Sequence, residues 1–167
     1  MVDVGVFLTE ASIEAAFAAA QRPGDEEIVS HDECEECDSL RASLAGKHWR
    51  DLGRMAVDQM SQALPLLSPA AFRYFLPAVL IRGLREHDKS TDPLVLSFGT
   101  AASNEDSDSF WQVRLDLLSE AEAEMVAGHV RRRHETDDGR EVFPLPLSAQ
   151  AHEWLQAYLR ERKMTAE

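Results

Sequence analysis

The stretch Leu67-Ser68-Pro69-Ala70-Ala71-Phe72-Arg73-Tyr74-Phe75-Leu76-Pro77-Ala78-Val79-Leu80-Ile81-Arg82-Gly83-Leu84-Arg85 decides the fold class. Ser68 is a good N-cap, and Pro69 takes the first helical position, where its missing N–H would have had no partner anyway. Phe72, Phe75, Leu76, Val79, Leu80 and Leu84 then recur at helical spacing over a wide face, as in a helix packed in the middle of a domain. The spacing predicts a central helix over 69–86, kinked at Pro77, whose ring clashes with the preceding turn.

Outward from that stretch, helix signals dominate. Thr9 is placed to cap a helix to about Ala20, with Ile13, Ala16, Phe17 and Ala20 on one face, before Pro23-Gly24 breaks it. A second helix begins within residues 25–38 and keeps Cys37, Leu40 and Leu44 in register up to Gly46. Asp51 is the expected cap of a third, with Ala56, Met60 and Leu64 inside. Ser119 and Glu122 spell a capping box. The helix after them carries Glu120, Glu122 and Glu124 early and Arg131, Arg132 and Arg133 late, as the helix dipole favours. Ser148 is the expected cap of a last helix with Trp154, Leu155, Tyr158 and Leu159 inside.

Extended structure has weaker support. Val2, Val4, Val6 and Leu8 alternate, as do Trp111, Val113, Leu115 and Leu117, and alternation is a strand signal. Residues 136–139 read as a turn and Phe143 to Pro146 as extended chain. The polar stretch 87–109 reads as a long surface loop. The expectation is a mainly α, single compact helical domain over 1–167, with five or six helices and at most a small strand pair.

Length and charge narrow the function. The chain has 167 residues, 44% of them hydrophobic, and 30 acidic against 17 basic side chains give a net charge of −13. That balance excludes sequence-independent binding to nucleic acid phosphates and docking on anionic lipid. The longest apolar run, Phe75 to Ile81, is far short of the roughly 20 residues of a membrane span. Asp3 and the lack of a basic lead-in argue against a secretory leader, so a cytoplasmic location is expected. Nucleotide-binding loops, the zinc-protease His-Glu-x-x-His and the hydrolase Gly-x-Ser-x-Gly do not occur, and catalysis has no positive support.

Residues 25–38 are the most biased segment. They hold eight carboxylates and no Lys or Arg. Inside them lies His31-x2-Cys34-x2-Cys37, with His48 after a further ten intervening residues. Two thiolates at that spacing can meet one tetrahedral ion, two imidazoles could complete it, and the surrounding carboxylates favour a cation. The plainer alternative makes Cys37 a small core residue and Cys34 incidental. A redox dithiol is disfavoured, because dense negative charge opposes the thiolate. The deaminase pattern His-x-Glu with Pro-Cys-x2-Cys is rejected: Cys34 follows Glu33 directly, and one helical turn cannot supply both parts. The carboxylates themselves could form a face for a basic partner.

The segment Leu67 to Leu80, with Ser68-Pro69 followed by Ala71-Phe72-Arg73-Tyr74-Phe75-Leu76-Pro77, resembles the core of a bacterial family of uncharacterised small proteins. Pro23-Gly24-Asp25-Glu26-Glu27-Ile28-Val29, Gly46-x2-Trp49 and the helix after Ser119 are also similar to elements of that family. The resemblance covers about Ala16 to Arg133 and implies no activity and no site. Arg73 and Tyr74 lie beside the apolar face, so Arg73 is expected to pair with an acid, with Asp51, Asp58 or Asp25 as candidates.

These readings converge on a non-enzymatic acidic binding protein whose partner is basic. The concrete form is an immunity-type inhibitor that occludes a toxin such as a nuclease, with Glu26, Glu27, Glu33, Glu35 and Glu36 supplying the field. The alternative is a small zinc-binding protein or enzyme centred on His31, Cys34, Cys37 and His48.

Overall fold

A computed structural model describes residues 8–31, 34–85, 92–136 and 147–165. Among them run eight α-helices: α1 (Glu10–Ala16), α2 (Glu35–Leu44), α3 (Arg54–Gln62), α4 (Pro69–Arg85), α5 (Pro93–Ala101), α6 (Glu105–Asp116), α7 (Glu120–Thr136) and α8 (Leu147–Thr165). Short 3-10 turns sit at Asp25–Glu27, Trp49–Asp51 and Leu64–Leu66. No strand occurs among the described residues. One antiparallel bridge joins Val29 to Leu67. The readings of Val2 to Val6, of the turn after Thr136 and of Phe143 to Pro146 fall outside the described residues.

The mainly helical expectation holds, with more helices than expected. α4 is the central element. Ala71, Phe72 and the whole run Tyr74 to Ile81 are buried, and α1, α3, α6 and α7 all pack on it. The helix continues through Pro77, whose missing N–H leaves the Arg73 carbonyl without its helical donor. Arg73 grips Glu122 on α7: its Nε and Nη2 donate to the two carboxylate oxygens at 3.0–3.1 Å. Glu122 is fully buried and also closes the capping box, accepting from Ser119 N at 2.6 Å. Of the partners expected for Arg73, Asp58 pairs with Arg82, Asp25 with Arg22, and Asp51 lies in the Trp49–Asp51 turn.

Four local expectations are corrected. The stretch 87–109 is not one loop. Asp92 caps α5 through Oδ1, which accepts from Leu94 N and Val95 N at 3.1 and 3.2 Å, and Pro93 takes the first helical position. Residues 111–117 are not a strand: Trp111, Arg114, Leu115 and Leu118 are buried at helical spacing, and the apparent alternation arises because Val113 and Leu117 are apolar yet exposed at 56% and 44%. Asp51 lies in a 3-10 turn, and Gly53 is the cap residue of α3. Ser148 falls inside α8, buried, rather than before it.

Two close contacts fix the packing. At Gly83 on α4, an added Cβ would lie 2.4 Å from the His129 ring on α7. On α6, Arg114 is 3% exposed and spreads its guanidinium over the Phe110 ring at 3.5 Å. It donates to the carbonyls of Phe110, Pro65 and Leu67 and to Ser30 Oγ, with the Leu67 bond at 2.7 Å. Burial lowers its pKa to about 10. α8 lies along α5 and α7; its Trp154 donates to Asp108 at 2.8 Å and its Tyr158 to Asp116 at 2.5 Å, both on α6.

Candidate functional site

The candidate centre forms where the acidic segment enters α2. Cys34 has extended backbone torsions and is the N-cap of the helix; its Sγ accepts from Cys37 N at 3.1 Å. A cap and the third residue of the helix face each other across the first turn, so the two-residue spacer brings both sulfurs to one place. Their Cα atoms are 5.2 Å apart and the side chains are joined as a disulfide. Cys37 is fully buried, whereas Cys34 is only partly so. His31 stands on the chain leading into the helix, exposed, with Nδ1 3.3 Å from Cys37 Sγ. The ligand atoms of His31, Cys34 and Cys37 lie within 4.8 Å of one another, so with the thiols reduced this group could hold a metal ion.

The chain around it is pinned by backbone contacts. Ser30 N donates to Leu66 O at 2.9 Å and Ser68 N to Ile28 O at 3.0 Å, so the strand-like pair 28–30 and 66–68 leads directly into α4. At the far end of α2, Gly46 adopts a left-handed φ of 68°, a conformation that favours glycine. Its N–H donates to Asp25 at 3.0 Å. Arg22 beside Asp25, together with that N–H, holds the Asp25 carboxyl below its ordinary range. Both ends of α2 are therefore fixed, one by the segment before it and one by the turn after it.

The structure separates the fourth expected ligand from the other three. His48 caps the Trp49–Asp51 turn, its Nδ1 accepting from Arg50 N at 3.1 Å, and its ring meets Trp49 and Tyr74. It is not in the three-residue group. Asp25, Glu26, Glu27, Glu35, Glu36 and Asp38 are all exposed. Asp38 meets Arg41 at 3.3 Å, and Glu27 accepts from Gly24 N at 3.0 Å. Glu33 lies outside the described residues.

A second feature escaped the sequence reading. Between α3, α4, α5, α6 and α7 lies a cleft of about 770 Å³, lined by Asp58, Ser61, Arg82, Asp92 and Arg133 among others. Behind it His129, 2% exposed, meets Asp92 Oδ2 at 2.8 Å, and Arg133 Nε donates to the same oxygen at 2.9 Å. Burial pushes the Asp92 carboxyl up, but His129 and Arg133 reverse this and hold it well below the usual carboxylate range. The signal for Asp92 was present: Asp92-Pro93 repeats the cap-then-proline pattern of Ser68-Pro69. Of the basic run at 131–134, Arg133 joins this network and His134 stacks on His152, with ring centres 5.2 Å apart.

Among the described residues no helix is long and apolar enough to cross a membrane. Comparison with curated proteins and with solved structures returns no match. Residues 9–158, which include His31, Cys34, Cys37, Asp92, His129 and Arg133, match the model of a family of unknown function, DUF6714, and the chain belongs to that family.

Proposed function

We propose that the protein binds a thiophilic divalent cation, zinc in the first instance, through His31, Cys34 and Cys37. The carrying observation is the convergence of one imidazole nitrogen and two sulfurs within 4.8 Å. Around tetrahedral zinc such atoms stand about 3.6–3.8 Å apart, from Zn–S near 2.3 Å and Zn–N near 2.1 Å, so reduction of the disulfide and small side-chain rotations suffice. Three protein ligands leave one position for water or for a group from a partner. Glu35 and Glu36, exposed in the first turn of α2, raise the local cation concentration.

Cobalt(II) added to reduced protein tests this reading. One equivalent should bind with sulfur-to-cobalt charge-transfer absorption that zinc displaces, and Cys34→Ser or Cys37→Ser should abolish the band. Less than a tenth of an equivalent, with both thiols titrating freely, would remove the proposal.

A second reading rests on the exposure of six carboxylates between Asp25 and Asp38. They form a face suited to a basic protein, in the concrete form an immunity-type inhibitor of a toxin. Its expected signature is association that slows with salt, as the Debye length falls from about 10 Å at 0.1 M to about 3 Å at 1 M. Capture of a partner whose on-rate ignores both salt and substitution of these carboxylates would count against it.

A further inference from the structure

The two sulfurs of the centre are not equivalent, and metal binding gives no reason why they should differ. Cys37 is fully enclosed in the core, packed with Leu40 and Leu44 of the same helix. Cys34, one turn earlier, is partly open to solvent. The Cα separation of 5.2 Å lets them join without backbone movement. One sulfur partly open to an outside molecule, next to one enclosed in the core, suits thiol–disulfide exchange, in which access decides which sulfur reacts first.

We propose that Cys34 and Cys37 form a dithiol–disulfide couple that exchanges with external disulfides, Cys34 as the sulfur that attacks and Cys37 as the one that resolves. The reduced protein gives up the Cys34 proton to solvent, and the Cys34 sulfur attacks one sulfur of a substrate RS–SR. The Cys34–SR bond forms, the RS–SR bond breaks, and the first RS⁻ leaves and is protonated by water. Cys37 then loses its proton and attacks the Cys34 sulfur. The Cys34–Cys37 bond forms, Cys34–SR breaks, and the second RS⁻ leaves and is protonated. The protein loses two electrons and the substrate disulfide gains them as two thiols; the reverse sequence reduces the protein with two thiols.

The surroundings select the substrate. Glu35, Glu36 and Asp38 are exposed on the same first turn, and no Lys or Arg lies between Asp25 and Asp38. This field repels an anionic disulfide and draws in a cationic one. The substrate class is therefore a disulfide carried on a neutral or positively charged molecule. The same carboxylates that oppose formation of the attacking thiolate thus decide which disulfide arrives. The activity does not depend on a bound ion, and ion and disulfide compete for the same two sulfurs.

The test uses reduced full-length protein in chelator, so that failure of cobalt binding and failure of exchange are read separately. The probes are cystamine (cationic), 2-hydroxyethyl disulfide (neutral) and oxidised glutathione (anionic), with products followed by mass spectrometry after acid quench. Wild type should pass to the internal disulfide with little accumulated adduct. Cys37→Ser should trap one mixed disulfide on Cys34. Cys34→Ser should react on Cys37 at least roughly tenfold more slowly, because that sulfur is enclosed. Cystamine should outpace oxidised glutathione by roughly tenfold at low salt, a gap that closes at 1 M salt. Equal reactivity of the two single variants, or stable adducts on both sulfurs of wild type, would overturn the exchange. Oxidised glutathione reacting as fast as cystamine would overturn the substrate class. The wild-type measurements stand even where a serine variant fails to fold.

Discussion

The α4–α7 interior and the segment 25–38 both carry acidic residues, and the two regions treat them in opposite ways. Glu122 is fully buried, bidentate with Arg73, and bonded back to Ser119. Asp92 is shared between His129, Arg133 and the start of α5. In residues 25–38 the described carboxylates are exposed, and those with partners mostly hold local turns. An interior carboxylate is therefore part of the folding free energy, because removing it strands a desolvated cation or a helix end. A carboxylate of the segment can be changed with little loss of fold, so its charge is open to a role in recognition.

The largest expected effect is on the interior side. Glu122→Gln should destabilise the protein by about 3 kcal/mol, since it breaks a buried pair and loosens the α7 cap while Arg73 regains only part of its hydration. Urea melts of variant and wild type measure it; a change under 1 kcal/mol would erase the contrast between the regions. Arg114→Leu comes next. It takes the guanidinium donor from the Pro65 carbonyl and leaves the Leu67 carbonyl with the Ser30 hydroxyl alone, and an unsatisfied buried acceptor costs about 1–3 kcal/mol. The loss should appear as faster amide exchange at Ser30 and Ser68, which bond across the 28–30 and 66–68 pair.

The acid limb sharpens the comparison further. The Asp92 carboxyl is held below its unfolded value of about 3.9, so its contribution is present above that pH and is lost as pH falls through the depressed folded value. His152, whose burial lowers its pKa, also favours the folded state only at higher pH, and its loss begins nearer pH 6.5. Asp92→Asn should flatten the part of the stability–pH curve below about pH 4 and leave the part near pH 6 unchanged. A curve that keeps its full steepness below pH 4 would place the acid sensitivity elsewhere. The smallest effect belongs to the segment: Glu26, Glu35 and Glu36 changed together to Gln should move stability by less than about 0.5 kcal/mol. The exchange rate with cystamine should fall in the same variant.

Much of this was legible in the sequence where several signals agreed. Ser68-Pro69 with a wide apolar face specified α4, Ser119 with Glu122 specified the start of α7, and Thr9 caps α1 as expected. Asp92-Pro93 carries the same start signal as Ser68-Pro69. That signal is weak in isolation because α5 has only nine residues and polar residues flank it in the sequence on both sides. On α6 two exposed apolar side chains imitated a strand, and the helical spacing of Trp111, Leu115 and Leu118 was masked because Arg114, a charged residue, is among the buried ones. For the centre, local spacing was enough to join His31, Cys34 and Cys37. His48 depended on tertiary placement, which periodicity does not contain: its ring is taken up by Trp49 and Tyr74. The Asp92–His129–Arg133 network was illegible for the same reason, since its members are 37 and 41 positions apart.

The contact between Gly83 and His129 makes α4 a gauge for a distant helix start. His129 makes its bond to Asp92 with the Cε1 edge of its ring turned toward the bare Cα of Gly83. A single methyl group at position 83 would push the ring aside, and the displacement would pass through Asp92 to the first N–H groups of α5. A change of one carbon atom on the central helix would thus be transmitted as fraying at the first turn of another, across the wall of the 770 Å³ cleft that Gly83 and Asp92 both line. One wall of that cleft therefore depends on a residue with no side chain.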